Sequence, residues 1–403
     1  GFTGPEKAGE TEYHFKIQIP SAMNQTFQVQ KYQNGQKSGN LISLTFANGK
    51  ADIVLKDGES LCIYGLEANA AYSIEEVNLP GGYTLDEKSG ENGKINAGKT
   101  MEAVFHNVYR ADPAELANGI FCVQKQFPNW KAFQGLSFDI VLSSDQKNAP
   151  FPEGAQVTEK DGVRCMTKNV TNAQNMGFGT ITFTRPGTFK YQIREQIPAE
   201  NNRAGGVKYS QALYEVVVKV TDDGKGNLHA ELTMWQKKDD KGAELNLAVA
   251  DQIARIQNDY ETDAVTLQGA ANLKVKKELT GRDWMSDDAF TFTIGWDKDN
   301  PDAAKDVKLP EAITVKNGVE AHFGDIVFKE PGVYKLIIKE RTGSLPGVTY
   351  ADGNIKVTVV VTDNLDGTLT AKALPSGYQT EGNGVSITGD RVMTFTNRYE
   401  VKP

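Results

Sequence analysis

Cysteine is scarce in this sequence. The three present, Cys62, Cys122 and Cys165, lie in unrelated local contexts and form no C-x-x-C pair. A disulfide-stapled scaffold, a zinc knot and a dithiol redox site are therefore not expected; Cys122, between Phe121 and Val123, reads as a small apolar filler. Histidine is nearly as rare: His14, His106, His229 and His322 are far apart, and no H-E-x-x-H, G-x-S-x-G or Cys–His signature accompanies them. An enzyme acting on an external substrate is not expected, nor is a cofactor or a resident metal ion. No apolar run approaches the roughly 20 residues of a membrane helix, so no membrane insertion is expected. A basic excess is also missing. Lys and Arg total 44 against 52 Asp and Glu, a net charge of -8, and nucleic acid is excluded as a partner because phosphate binding needs a basic face. No signal-like segment opens the sequence and no sorting motif closes it, so a mature form or a fragment is expected. Helical periodicity is rare, and LNLAVADQIA (245–254) is too short to assign.

What the 403 residues do contain is repetition, at a length that suggests two or three domains. Near the end of each third stand VFHNVY (104–109), RIQNDY (255–260) and TFTNRY (394–399). Each sets an apolar residue, an asparagine and a tyrosine on one face of a strand: Phe105/Asn107/Tyr109, Ile256/Asn258/Tyr260 and Phe395/Asn397/Tyr399. Upstream, AYSIEEV (71–77), TFKYQIREQI (188–197) and GVYKLIIKER (332–341) alternate with period two. In each, a glutamate (Glu76, Glu195 or Glu340) continues the apolar row. FCVQKQF (121–127) and LKVKKEL (273–279) open the later two copies and place Lys125 and Lys277 in an apolar row. Asp- and Gly-rich TDDGKGN and TDNLDGT follow further strands and read as hairpin turns; their carboxylates do not match an EF-hand loop. The fold class expected is all-β, three tandem sandwiches at 1–110, 111–262 and 263–403, with linkers near 110–117 and 261–270.

A lone inward lysine usually snorkels to solvent, and a lone strand asparagine is usually a satisfied polar contact. The same three residue types, in the same order, in two units whose other residues differ, call for a joint explanation. Burial pushes a lysine pKa down and a glutamate pKa up, so the two settle as neutral amine and neutral acid. A neutral amine is a nucleophile, and a protonated carboxyl donates to the amide oxygen and then carries protons to the leaving nitrogen. Lys125 with Asn258, and Lys277 with Asn397, would condense to isopeptide bonds and ammonia, with Glu195 and Glu340 as proton shuttles in a site that excludes water.

KELTGR (277–282), FTFTI (290–294), YKLIIKE (334–340), GVTY (347–350), VTVVVTDNLDGTL (357–369) and FTNRY (395–399) resemble the streptococcal-type pilin isopeptide-linkage domains of Gram-positive surface pili, variants of the collagen-adhesin B-type immunoglobulin-like fold. The resemblance implies a lysine from the first strand, an asparagine from the last and a catalytic glutamate between, landing on Lys277, Asn397 and Glu340, and on Lys125, Asn258 and Glu195. The middle unit matches more loosely, with PNWKAF in place of LTGR and insertions around 142–175.

The first unit departs from the pattern. FTGPEKAGETEYHFKI (2–17) aligns without gaps to LTGRDWMSDDAFTFTI (279–294), which puts the lysine position immediately before Gly1. Lys7 would have to come from a loop, Lys16 points outward, and Glu76 and Asn107 are expected to be unpaired and idle. CIYGLEANAAYSIEEVNLPGGYTL (62–85) resembles B-type repeats, whose strand ends in a glutamate before a P-x-G-Y turn.

The resemblance implies a structural role outside the cell, as a pilus subunit or adhesin stalk anchored in a Gram-positive cell wall. Its partners would be neighbouring pilus subunits, or the wall itself through sortase, whose motif is not within the sequence. Lys131 and Lys335, each beside an aromatic residue, read as ordinary surface lysines. The alternative is a module binding a host surface ligand, a glycan or matrix protein, through Trp130, Trp235, Trp284 or Trp296, residues that more often pack in cores and edges.

Overall fold

The computed structural model describes residues 8–128 and 130–401. Apart from one helical turn at Gly269–Asn272 and a few 3-10 turns, the described regular structure is β. Three β units follow one another along the chain.

Period-two alternation decides which side of each strand is buried. On Gly187–Glu195 the residues Phe189, Tyr191, Ile193 and Glu195 are buried while Thr188, Lys190, Gln192 and Arg194 face solvent. On Gly332–Glu340 the buried set is Tyr334, Leu336, Ile338 and Glu340. Each glutamate is the last inward position of its strand, so the packing that hides the apolar row hides the carboxyl with it. In the middle unit this strand sits inside a seven-stranded sheet between Phe138–Ser144 and Leu213–Asp222. In the last unit it lies between Ala289–Trp296 and Asn354–Asp363.

Opposite each of these sheets lies a second one that holds the unit's lysine strand and asparagine strand as a parallel pair. Cys122–Gln126 runs parallel to Ile253–Gln257, and Lys274–Thr280 runs parallel to Val392–Tyr399. Parallel neighbours need a long crossover, and the rest of the unit provides it. The cores between the sheets are aromatic and aliphatic, centred on Phe178, Tyr191 and Ile193 in the middle unit and on Phe292, Tyr334 and Phe395 in the last.

The first unit is smaller. One sheet orders Lys50–Lys56, Glu12–Gln18, Ala71–Val77 and Asn92–Lys94; a second orders Gln36–Thr45, Thr26–Gln33 and Glu59–Ile63. The last strand, Val104–Tyr109, pairs with Tyr83–Ser89. Lys7 lies outside the described residues.

One expectation changes. The stretches read as linkers carry short strands of the following unit: Ala114–Leu116 pairs with Ile181–Phe183, and Val265–Leu267 with Ile326–Phe328. Ala114, Leu116 and Leu267 are buried there, and a three-residue strand is too short to show a period. LNLAVADQIA resolves into strand Glu244–Ala248, a turn, and the start of Ile253–Gln257.

Candidate functional site: two buried lysine–glutamate–asparagine triads

The parallel strand pair fixes where the lysine and asparagine meet. In the last unit Lys277 is registered with Phe395, and Asn397 lies two residues on, on the same inward face. In the middle unit Lys125 is registered with Ile256, and Asn258 follows two residues later. The glutamate arrives from the facing sheet.

Both triads are dry. The side chains of Lys125 and Glu195, and of Lys277 and Glu340, are 0% exposed, and Asn258 and Asn397 are likewise buried. In the last unit Lys277 Nζ donates to Glu340 Oε2 at 2.9 Å, and Asn397 Nδ2 donates to Glu340 Oε1 at 2.9 Å. The middle unit repeats this: Lys125 Nζ to Glu195 Oε2 at 3.4 Å, and Asn258 Nδ2 to Glu195 Oε1 at 2.8 Å. One carboxyl thus bridges amine and amide, a separate oxygen to each. The amines lie over phenyl rings, Lys125 Nζ 4.8 Å from the Phe138 centroid and Lys277 Nζ 5.0 Å from that of Phe290.

The electrostatics follow from burial. Desolvation lowers the Lys125 and Lys277 pKa values to about 8, against the opposing pull of the neighbouring glutamate. Desolvation also raises Glu195 and Glu340, against the lysine and amide that favour the charged form. The two shifts point the same way, toward a neutral amine beside a neutral acid. Stability alone gives little reason for such a pair, since replacing a buried ion pair by apolar residues is often neutral or stabilising by about 1–4 kcal/mol.

One participant was not evident in the sequence. The backbone N–H of Ala351 donates to Asn397 Oδ1 at 2.8 Å, and that of Ser210 donates to Asn258 Oδ1 at 2.8 Å. Because a backbone N–H only donates, the amide oxygen must face it and the amide nitrogen must face the glutamate. The expected contact of the acid with the amide oxygen is therefore replaced: the backbone polarises the carbonyl, and the acid faces the leaving nitrogen. Ser210 and Ala351 each follow a repeated G-V-x-Y, GVKY and GVTY, the signal that could have located them.

The LTGR motif also acquires a role. Arg282 grips Asp288 through two bonds of 2.6 and 2.8 Å and lies over the Tyr399 ring at 5.1 Å, pinning the loop beyond the lysine strand to the end of the last strand. In the middle unit, where PNWKAF stands, Phe127, Trp130, Phe133 and Phe138 form an aromatic cluster instead, with the Trp130 indole N–H donating to the Thr171 carbonyl. Hydrophobic packing replaces the ion pair.

In the first unit the structure brings Glu76 and Asn107 together: Asn107 Nδ2 donates to Glu76 Oε1 at 2.7 Å. The last strand thus turns its amide onto the facing carboxyl, as in the other units. Lys16 is exposed, as expected.

The carboxylates of the Asp-Gly turns are engaged by backbone and by tyrosines of the preceding unit. Tyr109 Oη donates to Asp222 Oδ1 at 2.6 Å, and Tyr260 Oη to Asp363 Oδ1 at 2.7 Å. Those oxygens also accept from Gly224 N and Leu365 N, both at 2.7 Å.

Residues 121–260 and 273–400 match the family model described as the Spy0128-like isopeptide containing domain. The chain belongs to this family. Residues 2–109 match a separate model, a domain of unknown function (DUF7601). No curated protein matches the chain. Among solved structures, the chain is similar to the T3.2 major pilin protein from Streptococcus pyogenes, at 13% identity and a TM-score of 0.23, covering 71% of this chain and 99% of the pilin. It is similar to the pilus adhesin SpaC from Lactobacillus rhamnosus GG, at 12% identity and a TM-score of 0.19, covering 100% of this chain and 42% of the adhesin. Two B repeat units of the collagen binding protein of Staphylococcus aureus match at 14% identity and a TM-score of 0.15, covering 97% of this chain and 76% of theirs. Overlaps this loose add nothing to the family match. The middle and last units are therefore isopeptide containing domains of this family.

Proposed function

We propose that the chain is a tension-carrying part of a Gram-positive cell-surface protein, a pilus subunit or adhesin stalk, in which Lys125–Asn258 and Lys277–Asn397 are joined by isopeptide bonds. The observation that carries this reading is the twice-built triad, amine and amide held dry on the two oxygens of one glutamate. The neutral Lys277 Nζ attacks Asn397 Cγ. The Ala351 N–H stabilises the negative charge that develops on Oδ1. Glu340 gives its proton to Nδ2, which departs as ammonia, and takes one from Nζ, so the acid ends as it began. Lys125, Ser210, Glu195 and Asn258 act alike. Each reaction happens once, within one chain.

The strand arrangement gives the bond its mechanical meaning. In the middle and last units the lysine strand, which follows one short leading strand, and the asparagine strand near the unit's end are parallel neighbours. Pulling on the chain ends loads this pair in shear. A covalent tie between the strands passes the load directly and leaves the rest of the unit unstretched. The same tie closes nearly the whole unit into a loop, worth on the order of 4–5 kcal/mol if strain is small.

Boundaries at 1–110, 111–262 and 263–403 fit this scheme, as do a location at the cell surface, anchoring in the cell wall, and neighbouring pilus subunits or a sortase-linked wall as partners. A host-ligand module finds less support, since Trp130, Trp284 and Trp296 pack on Phe138, Phe290 and Tyr334. Intact-mass measurement tests the proposal. Two formed bonds make the chain lighter than its sequence by two ammonia molecules; a mass equal to the sequence mass overturns it.

A further inference from the structure

The asparagine strands of the two triads are held differently along their outer edge. In the last unit Val385–Thr388 pairs along the outer side of Val392–Tyr399, with Val385 opposite Phe395. The N–H of Thr396, the residue before Asn397, donates to Gly384 O at 2.8 Å. In the middle unit Ile253–Gln257 is the edge strand of a three-stranded sheet, beyond Asn175–Gly177 and Cys122–Gln126. Its outward backbone groups need other partners, and two side chains supply them. Tyr214 Oη donates to Arg255 O at 2.6 Å, and the N–H of Gln257, the residue before Asn258, donates to Asp240 Oδ1 at 2.8 Å.

Asp240 stands in the turn between Leu228–Lys238 and Glu244–Ala248. Asp239 closes that turn on the Lys241 and Ala243 N–H groups, while the Asp240 side chain turns toward the triad. The same Asp240 Oδ1 also accepts the Ser210 hydroxyl at 2.6 Å, and Asp240 O accepts Gln211 N at 3.0 Å. Ser210 Oγ in turn accepts Ala212 N at 3.0 Å. Ser210 is the residue whose N–H lies 2.8 Å from Asn258 Oδ1 and 3.1 Å from Glu195 Oε2. One carboxylate oxygen therefore ties the segment that carries the amide-oxygen donor to the strand that carries the amide.

The charge of Asp240 does not assist the chemistry directly. Burial lowers the Lys125 pKa, and Glu195, Asp240 and Asp259 pull it back up. A negative charge here favours the protonated amine, which is no nucleophile. What Asp240 supplies is geometry. In the last unit Ala351 stands where Ser210 does, with no hydroxyl to offer. There the turn at Asn383 and Gly384 does the holding: Gly384 O takes Thr396 N, Asn383 O takes Gly353 N, and Asn383 N donates to Asp352 Oδ1.

We propose that Asp240 is a positioning residue for the Lys125–Asn258 bond: it holds the Ser210 N–H and the Asn258 amide in register for attack, in place of the flanking strand and turn that do so in the last unit. This rests on the proposed function of the two triads. Asp240 bonds to none of the reacting groups and takes no part in the proton transfer. The middle bond thus depends on one side chain outside its triad, and the last bond does not. Displacing a reacting group by about 1 Å costs on the order of 100-fold in rate, so loss of the tie should slow the middle bond alone.

In the test the full chain is made by cell-free synthesis, sampled over time and digested, and the Lys125–Asn258 and Lys277–Asn397 linked peptides are quantified separately by mass spectrometry. Rates are compared at a temperature where each variant, in an Asn258→Ala background that cannot link the middle unit, keeps the native near-UV circular dichroism. Asp240→Ala should slow the first bond roughly tenfold or more and leave the second unchanged. Asp240→Asn keeps an acceptor oxygen and drops the charge, so it should restore the rate to that of the parent or above it. Ser210→Ala keeps the donor N–H and cuts one of the two ties. It should slow the first bond less than Asp240→Ala does, and it decides the matter if Asp240→Ala fails to fold. An unchanged first bond in the deciding variant, equal slowing of both bonds, or Asp240→Asn as slow as Asp240→Ala would overturn the inference and leave both triads standing. No linked peptide from the parent chain would overturn the parent reading as well.

Discussion

At the scale of single residues, the central fact is that each glutamate has a different partner on each oxygen. Lys277→Ala removes the nucleophile; the chain should fall short of its own sequence mass by one ammonia instead of two, and the last unit should lose on the order of 4–5 kcal/mol of cross-link stabilisation, read by thermal or denaturant unfolding. Glu340→Gln keeps the shape but cannot exchange a proton with the amine, so the same single ammonia loss from its own sequence mass is expected although Lys277 and Asn397 remain neighbours. Asn397→Ala exposes the titration of the unlinked pair. Lys277 is held near 8 by burial, below its ordinary 10.5. Between those values the unfolded chain keeps a proton that the folded chain has shed, so the Lys277 contribution to stability should rise with pH there and be flat below about 8. Glu340 is pushed above its ordinary 4.5. From 4.5 up to the raised value the folded chain holds the extra proton, so stability should fall as pH rises through that window. Denaturation midpoints across pH, compared with Lys277→Ala/Asn397→Ala, separate the two slopes; a flat profile would contradict the burial of the pair.

At the scale of elements, the Asp-Gly turns are joints. Tyr109 enters the turn after Leu213–Asp222, and Tyr260 the turn after Asn354–Asp363. Gly226 N and Gly367 N donate back to the two tyrosine oxygens at 3.1 and 3.2 Å. Asp112 N and Asp263 N bond to Gly226 O and Gly367 O, each at 2.8 Å. The contact needs bare backbone: a Cβ on Gly81 would stand 2.3 Å from Lys225 O, and one on Gly205 2.0 Å from Asp366 O. In the last unit Pro346 occupies the place of Gly81 and Gly205, so the same joint cannot form on Tyr399, which lies under Arg282 instead. Tyr260→Phe keeps the ring and deletes the hydroxyl bonds, at a cost of about 0.5–1.5 kcal/mol for an ordinary hydrogen bond. The expected outcome is faster cleavage near 261–264 by a limiting protease and a wider spread of inter-unit angles in solution scattering, with both isopeptide bonds still formed.

At the scale of the molecule, load should travel in by one strand, across the bond, out by the last strand, and through the tyrosine joint into the next unit. Stretching single molecules by force spectroscopy should show the middle and last units failing to lengthen. Asn397→Ala should add one unfolding step on the order of 40 nm, from roughly 3.4 Å per released residue. Steps from all three units of the parent chain would refute the load path.

The sequence by itself determined the β class, the three-fold repetition and which lysine, glutamate and asparagine point inward, because period-two alternation converts spacing directly into burial. It did not reveal that Ser210 and Ala351 hold the amide oxygens, because a backbone N–H leaves no mark in residue identity. Nor did it reveal that Asp222 and Asp363 receive tyrosines of the preceding unit: Asp and Gly suit any tight turn, and only the approach of two units distinguishes a joint from a bend. Pairing across sheets and between units joins residues about a hundred positions apart, and that proximity exists only once the chain has closed on itself.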